Sequence, residues 1–367
     1  MKLFLLIIFF FTNALAGELF QPGLQTRCFA MGGTCASHVR GASALFFNPA
    51  ALARVEGFDF TIAEIQTGVS KDAVDFSSQL QGTAFTTTDL NKLYGKTLTA
   101  EVTARSGFVM PNLGFGVFSN SNTHMQFNDP TFPTFKMNFI SDYGYILGGA
   151  FSLGGQASLG ASMRYTKRWG GEEDINMASL IGASTNTLAS NNFINHGVGH
   201  ALDIAAMTTL NHPLKPTVSL VWQDVGVTTY NMTSGVKNPP SQYDNLILGI
   251  ALPQEYGIVS FTHAIEYKFI RTEGYDFFKK IHLGTEASIG PLDLRAGINQ
   301  GYITYGAAVD VWLVQVEAAA YATELGTYGG QGRSDRYSVG LSFNMDFDQS
   351  FKIRDSIGKK RRLKQRR

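Results

Sequence analysis

The 367 residues are poor in charge and in cysteine. Charged side chains make up 16% of the chain and there are 2 cysteines. Soluble domains carry roughly 25% charge, so the composition argues against an ordinary soluble α/β enzyme, and so few cysteines exclude a disulfide-dense scaffold. Beyond the first residues no window of 18 apolar residues occurs, which excludes a transmembrane helix. Catalytic signatures are missing as well. Gly32-Gly33 lacks the downstream Gly-Lys-Ser/Thr of a phosphate loop, and neither H-E-x-x-H nor G-x-S-x-G occurs. The seven histidines are scattered. His196 and His200 stand at i, i+4, but they flank Gly197-Val198-Gly199 and read as a loop entering a strand. The expectation is a non-enzyme without cofactor or metal.

What is abundant points elsewhere. There are 39 Gly, 28 Phe and 14 Tyr. Glycine and aromatics with few charges suit a membrane β-barrel, with its apolar lipid face and aromatic rims. The start of the chain agrees. Met1-Lys2 and the apolar run Leu3 to Thr12 end on Ala14-Leu15-Ala16, a small-x-small cleavage signal, so residues 1–16 are predicted to be a signal peptide and the mature chain to begin at Gly17.

Charge is patterned along the chain. The formal net charge is +1, yet Lys352 to Arg367 holds nine basic residues and one acid. The rest of the mature chain is therefore acidic. Residues 348–367 are expected to form a basic periplasmic tail. Its partner is anionic headgroups, cell-wall polymer or an acidic periplasmic protein, or it is a solvated tail without one. With both termini in the periplasm, nucleic acid is not an expected partner.

After Arg54 the sequence alternates with period two. Tyr337, Val339, Leu341, Phe343, Met345 and Phe347 alternate with Ser338, Gly340, Ser342, Asn344 and Asp346. Apolar-out and polar-in is the pattern of a membrane barrel. The same alternation runs through 281–289 and 156–166. Candidate strands fall at 57–67, 103–109, 112–126, 134–151, 155–169, 199–210, 216–224, 243–252, 255–270, 278–289, 291–299, 301–310, 311–324 and 335–347. These predict an all-β fold, a transmembrane antiparallel barrel of about 14 strands over residues 56–347. The stretches 68–102, 170–198 and 225–242 read as long outer loops, with helix-capable runs at 88–93 and 174–189.

Residues 17–55 read as a plug. From Arg27 to Arg54 the chain is rich in glycine and small residues, which pack tightly, and Asn48-Pro49 supplies a turn. Arg27, Met31, Gly32 and Gly33, followed by Phe46-Phe47-Asn48-Pro49-Ala50, form a pattern that resembles the N-terminal plug of FadL/TodX-type outer-membrane transporters. That resemblance also implies fourteen strands. Cys28 and Cys35 lie in the same stretch, and either a disulfide pinning the plug or two buried thiols fits the spacing. The last strand looks like the aromatic-ended signal read by barrel-assembly machinery, although 20 residues follow Phe347.

Strand parity turns Arg164, Glu266, Lys268, Glu286, Asp293, Arg295, Asp310, Glu317 and Asp346 toward the lumen. These charges either form a solvated interior with salt bridges to the plug, or offer Arg164, Lys268 or Arg295 to an anionic headgroup. Phe76, Phe85, Phe127, Phe132 and Phe135 form either a greasy outer groove or a rim belt. The resemblance implies a Gram-negative outer-membrane protein, surrounded by outer-membrane lipids, for passive uptake of hydrophobic small molecules such as long-chain fatty acids. The alternative is a non-transporting barrel that anchors or shuttles secreted or surface proteins, or a structural one.

Overall fold

The structure is a computed structural model that describes residues 17–79, 92–127, 134–154, 156–176, 193–347 and 353–354. Among the described residues sixteen strands follow one another: β1 (Phe58–Ser70), β2 (Thr97–Met110), β3 (Leu113–Gln126), β4 (Thr134–Ser152), β5 (Ala157–Asn176), β6 (His196–Thr209), β7 (Thr217–Gln223) and β8 (Asn231–Ser234). Then come β9 (Asn245–Tyr256), β10 (Val259–Tyr267), β11 (Ile281–Ile289), β12 (Leu292–Asn299), β13 (Tyr302–Val311), β14 (Val314–Glu324), β15 (Arg333–Phe347) and β16 (Ile353–Arg354). Fourteen of them are antiparallel staves paired in chain order, and β1 pairs with β15 to close the ring. β8 covers the outer part of β6, beyond the reach of the seven-residue β7, and β16 adds two residues to the end of β15.

Closure leaves no sheet edge in lipid, where unpaired backbone groups are costly. All fourteen predicted strands are present. Their faces follow the sequence alternation, with Met163, Leu147 and Val339 outward and Ser162, Gly148 and Ser338 inward. One end of the barrel has short connections at Pro111-Asn112, Gly257-Ile258, Gly290-Pro291 and Trp312-Leu313. The other end carries the long loops, with one tight turn at Gln300-Gly301. Both residues of that turn have positive φ, 52° and 88°, as a two-residue hairpin turn of this hand needs.

Loop boundaries differ from the sequence reading in a consistent direction. β2 starts at Thr97 and β5 runs to Asn176, so these staves extend beyond the predicted 103 and 169. In these extensions Thr97, Thr99, Glu101 and Ile175 are buried, and strand pairing continues past the part that the sequence reading assigned to strand. His196 and His200 lie within β6. A helix forms at Lys71–Gln79. Of the helix-capable run at 88–93, residues 88–91 lie outside the described residues, and Lys92 and Leu93 are a turn. Residues 177–189 of the second helix-capable run lie outside the described residues, and Asp174–Asn176 are strand.

Candidate functional site

Residues 17–57 fill the interior. The segment holds two short helices, α1 (Thr26–Ala30) and α2 (Ala44–Phe47), and a 3-10 turn at Pro49–Arg54. Gly17 lies at the loop end, where its carbonyl accepts from Lys279 at 2.8 Å. Arg54 lies at the short-turn end, donating to Thr217 and to the Gln156 carbonyl. The segment therefore runs the length of the lumen. Its two halves are held by different physics.

The half from Gly17 to Ser37 is held by polar contacts to many staves. Glu18 takes two hydrogen bonds of 2.7 Å from Arg336. Burial alone would raise the Glu18 carboxyl, and the Arg336 guanidinium holds it below the usual range. Thr26 meets Ser338 at 2.7 Å, and its N–H donates to Gln66 at 2.9 Å. Arg27 forms a fork with Glu286. Glu286 also accepts from Arg295, which reaches Glu317 and Asp293 as well. Glu266 accepts from the N–H of Cys35, the N–H of Ser37 and the Ser37 hydroxyl within 3.0 Å. Lys268 donates to Gln21 and to the Gly33 carbonyl. His282 Nδ1 meets the Gly32 carbonyl at 2.9 Å. Cys28 and Cys35 are disulfide-bonded, with Cα atoms 5.3 Å apart, and the bridge closes the loop that carries Met31, Gly32 and Gly33.

The half from Ala42 to Leu52 is held by apolar packing. Leu45, Phe47, Ala50 and Leu52 join one buried cluster with Val109, Ile146, Met207, Val221 and Ile247. Arg105 stacks its guanidinium over Phe46 and Phe47, 5.4 and 5.3 Å from the ring centres. Asn48 caps the turn by accepting from Ala50 N–H at 3.1 Å and donates to the Ala36 carbonyl at 2.8 Å. Pro49 thus sits at the first turn position, where its missing N–H leaves no orphan donor.

Glycines make the contact possible in both halves. Gly107, Gly116, Gly148 and Gly160 lie on four neighbouring staves and face Leu45, Phe46, Leu52 and the Pro49-Ala50 backbone. A side-chain carbon at Gly160 would overlap the Pro49 carbonyl carbon. A second smooth patch, Gly284, Gly297, Gly306 and Gly340, faces α1 and the loop after it. Gly32 has φ +67°, and a side chain there would strike the backbone of Leu283 and Ile298. Glycines on the inward parity of successive strands were the sequence signal for these seats. Their partners in the plug could not be read from it.

The nine plug residues singled out from the sequence separate into these two groups. Arg27, Met31, Gly32 and Gly33 belong to the polar half, and Phe46 to Ala50 to the apolar one. Arg164, Lys268 and Arg295 all face inward, and each is already engaged. Arg164 pairs with Asp224 at 2.8 Å and Asp203 at 3.6 Å, Lys268 with Glu266 at 3.6 Å, and Arg295 with its three acids. Of the loop aromatics, Phe127 and Phe76 pack with Leu93, Met137, Ile175 and Phe193 in a closed cluster. Phe85 and Phe132, and the side chain of Phe135, lie outside the described residues. Sequence reasoning missed Glu18, Arg336, Glu266 as an acceptor for plug N–H groups, and the inward Lys279, whose amine burial pushes down to about 8.

The best-defined cavities beside the plug are small. The two best cavities among the described residues each offer about 30 Å³, one lined by Glu18, Phe20, Phe29, Glu101, Lys268 and Arg336, the other by Asp142 and Arg168 among others. That is room for a few waters, far below the roughly 300–1,000 Å³ of a small-molecule pocket. Among the described residues no group of three His, Cys, Asp or Glu side chains is placed to hold a metal ion.

A closed antiparallel barrel whose own N-terminal segment stops the lumen defines a plugged membrane-barrel class. Comparison with solved structures shows the fold: it is the FadL/TodX-type outer-membrane channel fold. The Pseudomonas putida toluene transporter TodX is 13% identical, with a TM-score of 0.51 over 90% of this chain and 98% of that one. The CymD monoaromatic hydrocarbon channel is 12% identical, with a TM-score of 0.51 over 92% and 99%. A TodX variant described as lacking S2 and S3 gives 14% and 0.52 over 88% and 98%. No family model matches the sequence, and no curated protein does.

Proposed function

We propose that this protein is a channel of a Gram-negative outer membrane that admits hydrophobic small molecules by passive diffusion, and that the plugged lumen is its closed state. The similar structures are described as toluene and monoaromatic hydrocarbon channels, which supports the substrate class. One observation carries the reading. The ion pairs between plug and wall fall within Gly17–Ser37, where charged and polar groups can exchange their partners for water, whereas Ala42–Leu52 meets the wall mainly by close apolar packing. Passage of a solute then calls for movement of the Gly17–Ser37 half, with the apolar half as its anchor. The boundaries of this reading are a signal peptide at 1–16, a plug at 17–55, a barrel at 56–347 and a periplasmic tail at 348–367.

The test locks the plug. In a Cys28→Ser, Cys35→Ser background, which leaves the lock as the sole thiol pair, Thr26→Cys with Ser338→Cys joins two positions whose hydroxyls are 2.7 Å apart. Uptake of a labelled aromatic hydrocarbon and of a labelled long-chain fatty acid is then compared in cells with the lock oxidised and with it reduced. Transport that appears only after reduction supports the channel reading. If cells lacking the protein take up both probes as fast as the wild type does, there is no channel. The sealed lumen is also the observation that favours a barrel acting as an anchor or shuttle for surface proteins, and that reading is the one left standing by such a result.

A further inference from the structure

On the outward face of β4, β5 and β6 a basic and aromatic patch interrupts the apolar surface. Register places three rows side by side: Tyr145, Tyr165 and His200, then Tyr143, Lys167 and Val198, then Ser141, Trp169 and His196. Lys167, His196 and His200 are exposed, and Tyr143 and Tyr145 are each about half exposed. The rings are ordered against one another. Tyr145 stacks on Tyr165 at 5.0 Å, Tyr165 meets His200 edge-on at 5.3 Å, and Trp169 stacks on His196 at 5.7 Å. Lys167 reaches over the Tyr143 ring at 5.9 Å.

Below the patch the same face is lipid-like, with Leu147, Phe151, Met163, Leu202 and Ile204 exposed. From the Phe151 level to Lys167 the rise is about 20 Å for inclined strands, which puts the ammonium at the loop-side margin of a roughly 25 Å apolar band. The inward cations of β5, Arg164 and Arg168, have carboxylate partners, whereas among the described residues no carboxylate pairs with Lys167. The nearest acids along β5, Glu172 to Asp174, lie beyond Trp169 toward the loops, and Glu173 is paired with Lys237 at 2.8 Å. A lysine facing lipid at that depth without a counter-charge is stabilised by an anion supplied from outside.

We infer that this patch is a binding site for a phosphorylated glycolipid of the outer leaflet. Lys167 and His200 contact the phosphate, and Tyr143, Tyr145 and Trp169 offer ring faces to the sugar. Three staves span about 10 Å, a width that suits a two-sugar headgroup better than a single phosphate ester. The inference rests on placing the loop end of the barrel at the cell exterior and is independent of what the channel carries.

Native mass spectrometry of the full-length barrel in a mild non-ionic detergent tests it. Three probes are added separately: bis-phosphorylated lipid A, dephosphorylated lipid A and phosphatidylglycerol. The wild type is expected to retain the phosphorylated glycolipid about tenfold better than either other probe, and Lys167→Gln with His200→Gln to lose that margin. Lys167→Arg should restore most of it. Heat-modifiable migration of every variant reports that the barrel is intact and separates a lost site from a lost fold. Equal retention of lipid A with and without phosphate would overturn the proposal. So would phosphatidylglycerol binding as well as lipid A, or a double variant that keeps the wild-type preference.

Discussion

Arg27 of the plug and Glu286 of β11 form a two-pronged ion pair, Nε to Oε2 at 2.8 Å and Nη2 to Oε1 at 2.7 Å. Glu286 is shared with Arg295, so a contact between plug and wall is built into a network of the wall itself. Without Arg27, Glu286 keeps Arg295, which then serves Glu286, Asp293 and Glu317 alone. Arg27→Met should therefore lower stability by about 2 kcal/mol, the loss of a charge-assisted hydrogen bond, and raise single-channel conductance in planar bilayers, with heat-modifiable migration preserved. A variant that conducts no more than the wild type would show that Arg27 does not retain the plug.

Gly160 is the seat of Pro49 and Ala50. Gly160→Val should push the Pro49–Arg54 turn off the wall without touching the β4–β5 and β5–β6 ladders. The barrel is expected to assemble, while protease cuts between residues 40 and 55 that are slow in the wild type become fast. Barrels equally resistant in both forms would mean that the apolar seat is not what anchors this half.

Cys28 and Cys35 close a loop whose members touch Lys268, His282 and Thr304. The purified protein should resist thiol alkylation until it is both unfolded and reduced. Cys28→Ser with Cys35→Ser should assemble normally and conduct more, because a bridge of this kind contributes roughly 2–4 kcal/mol by restraining the chain. Ready alkylation of the untreated, unfolded protein would mean that the thiols are free.

The sequence by itself determined the barrel and the facing of its residues. Period-two alternation is a one-dimensional property, so Tyr337 to Phe347 showed both strand and orientation without knowledge of any neighbour. The plug was visible too, since small residues around Phe46-Phe47-Asn48-Pro49-Ala50 are a local feature. Tertiary structure decided what faces what. Arg164, Lys268 and Arg295 were inward by parity, and alternation alone sets Glu266 and Asp293 two positions from Lys268 and Arg295 on the same face. Only the folded sheet brings Asp203 and Asp224 to Arg164, and Glu286 and Glu317 to Arg295, across separations that alternation does not encode. The same holds for Glu18 on Arg336, 318 residues apart, and for Gly160 under Pro49. A pattern along a strand fixes which way a side chain points. The partner it meets there is set by register and closure.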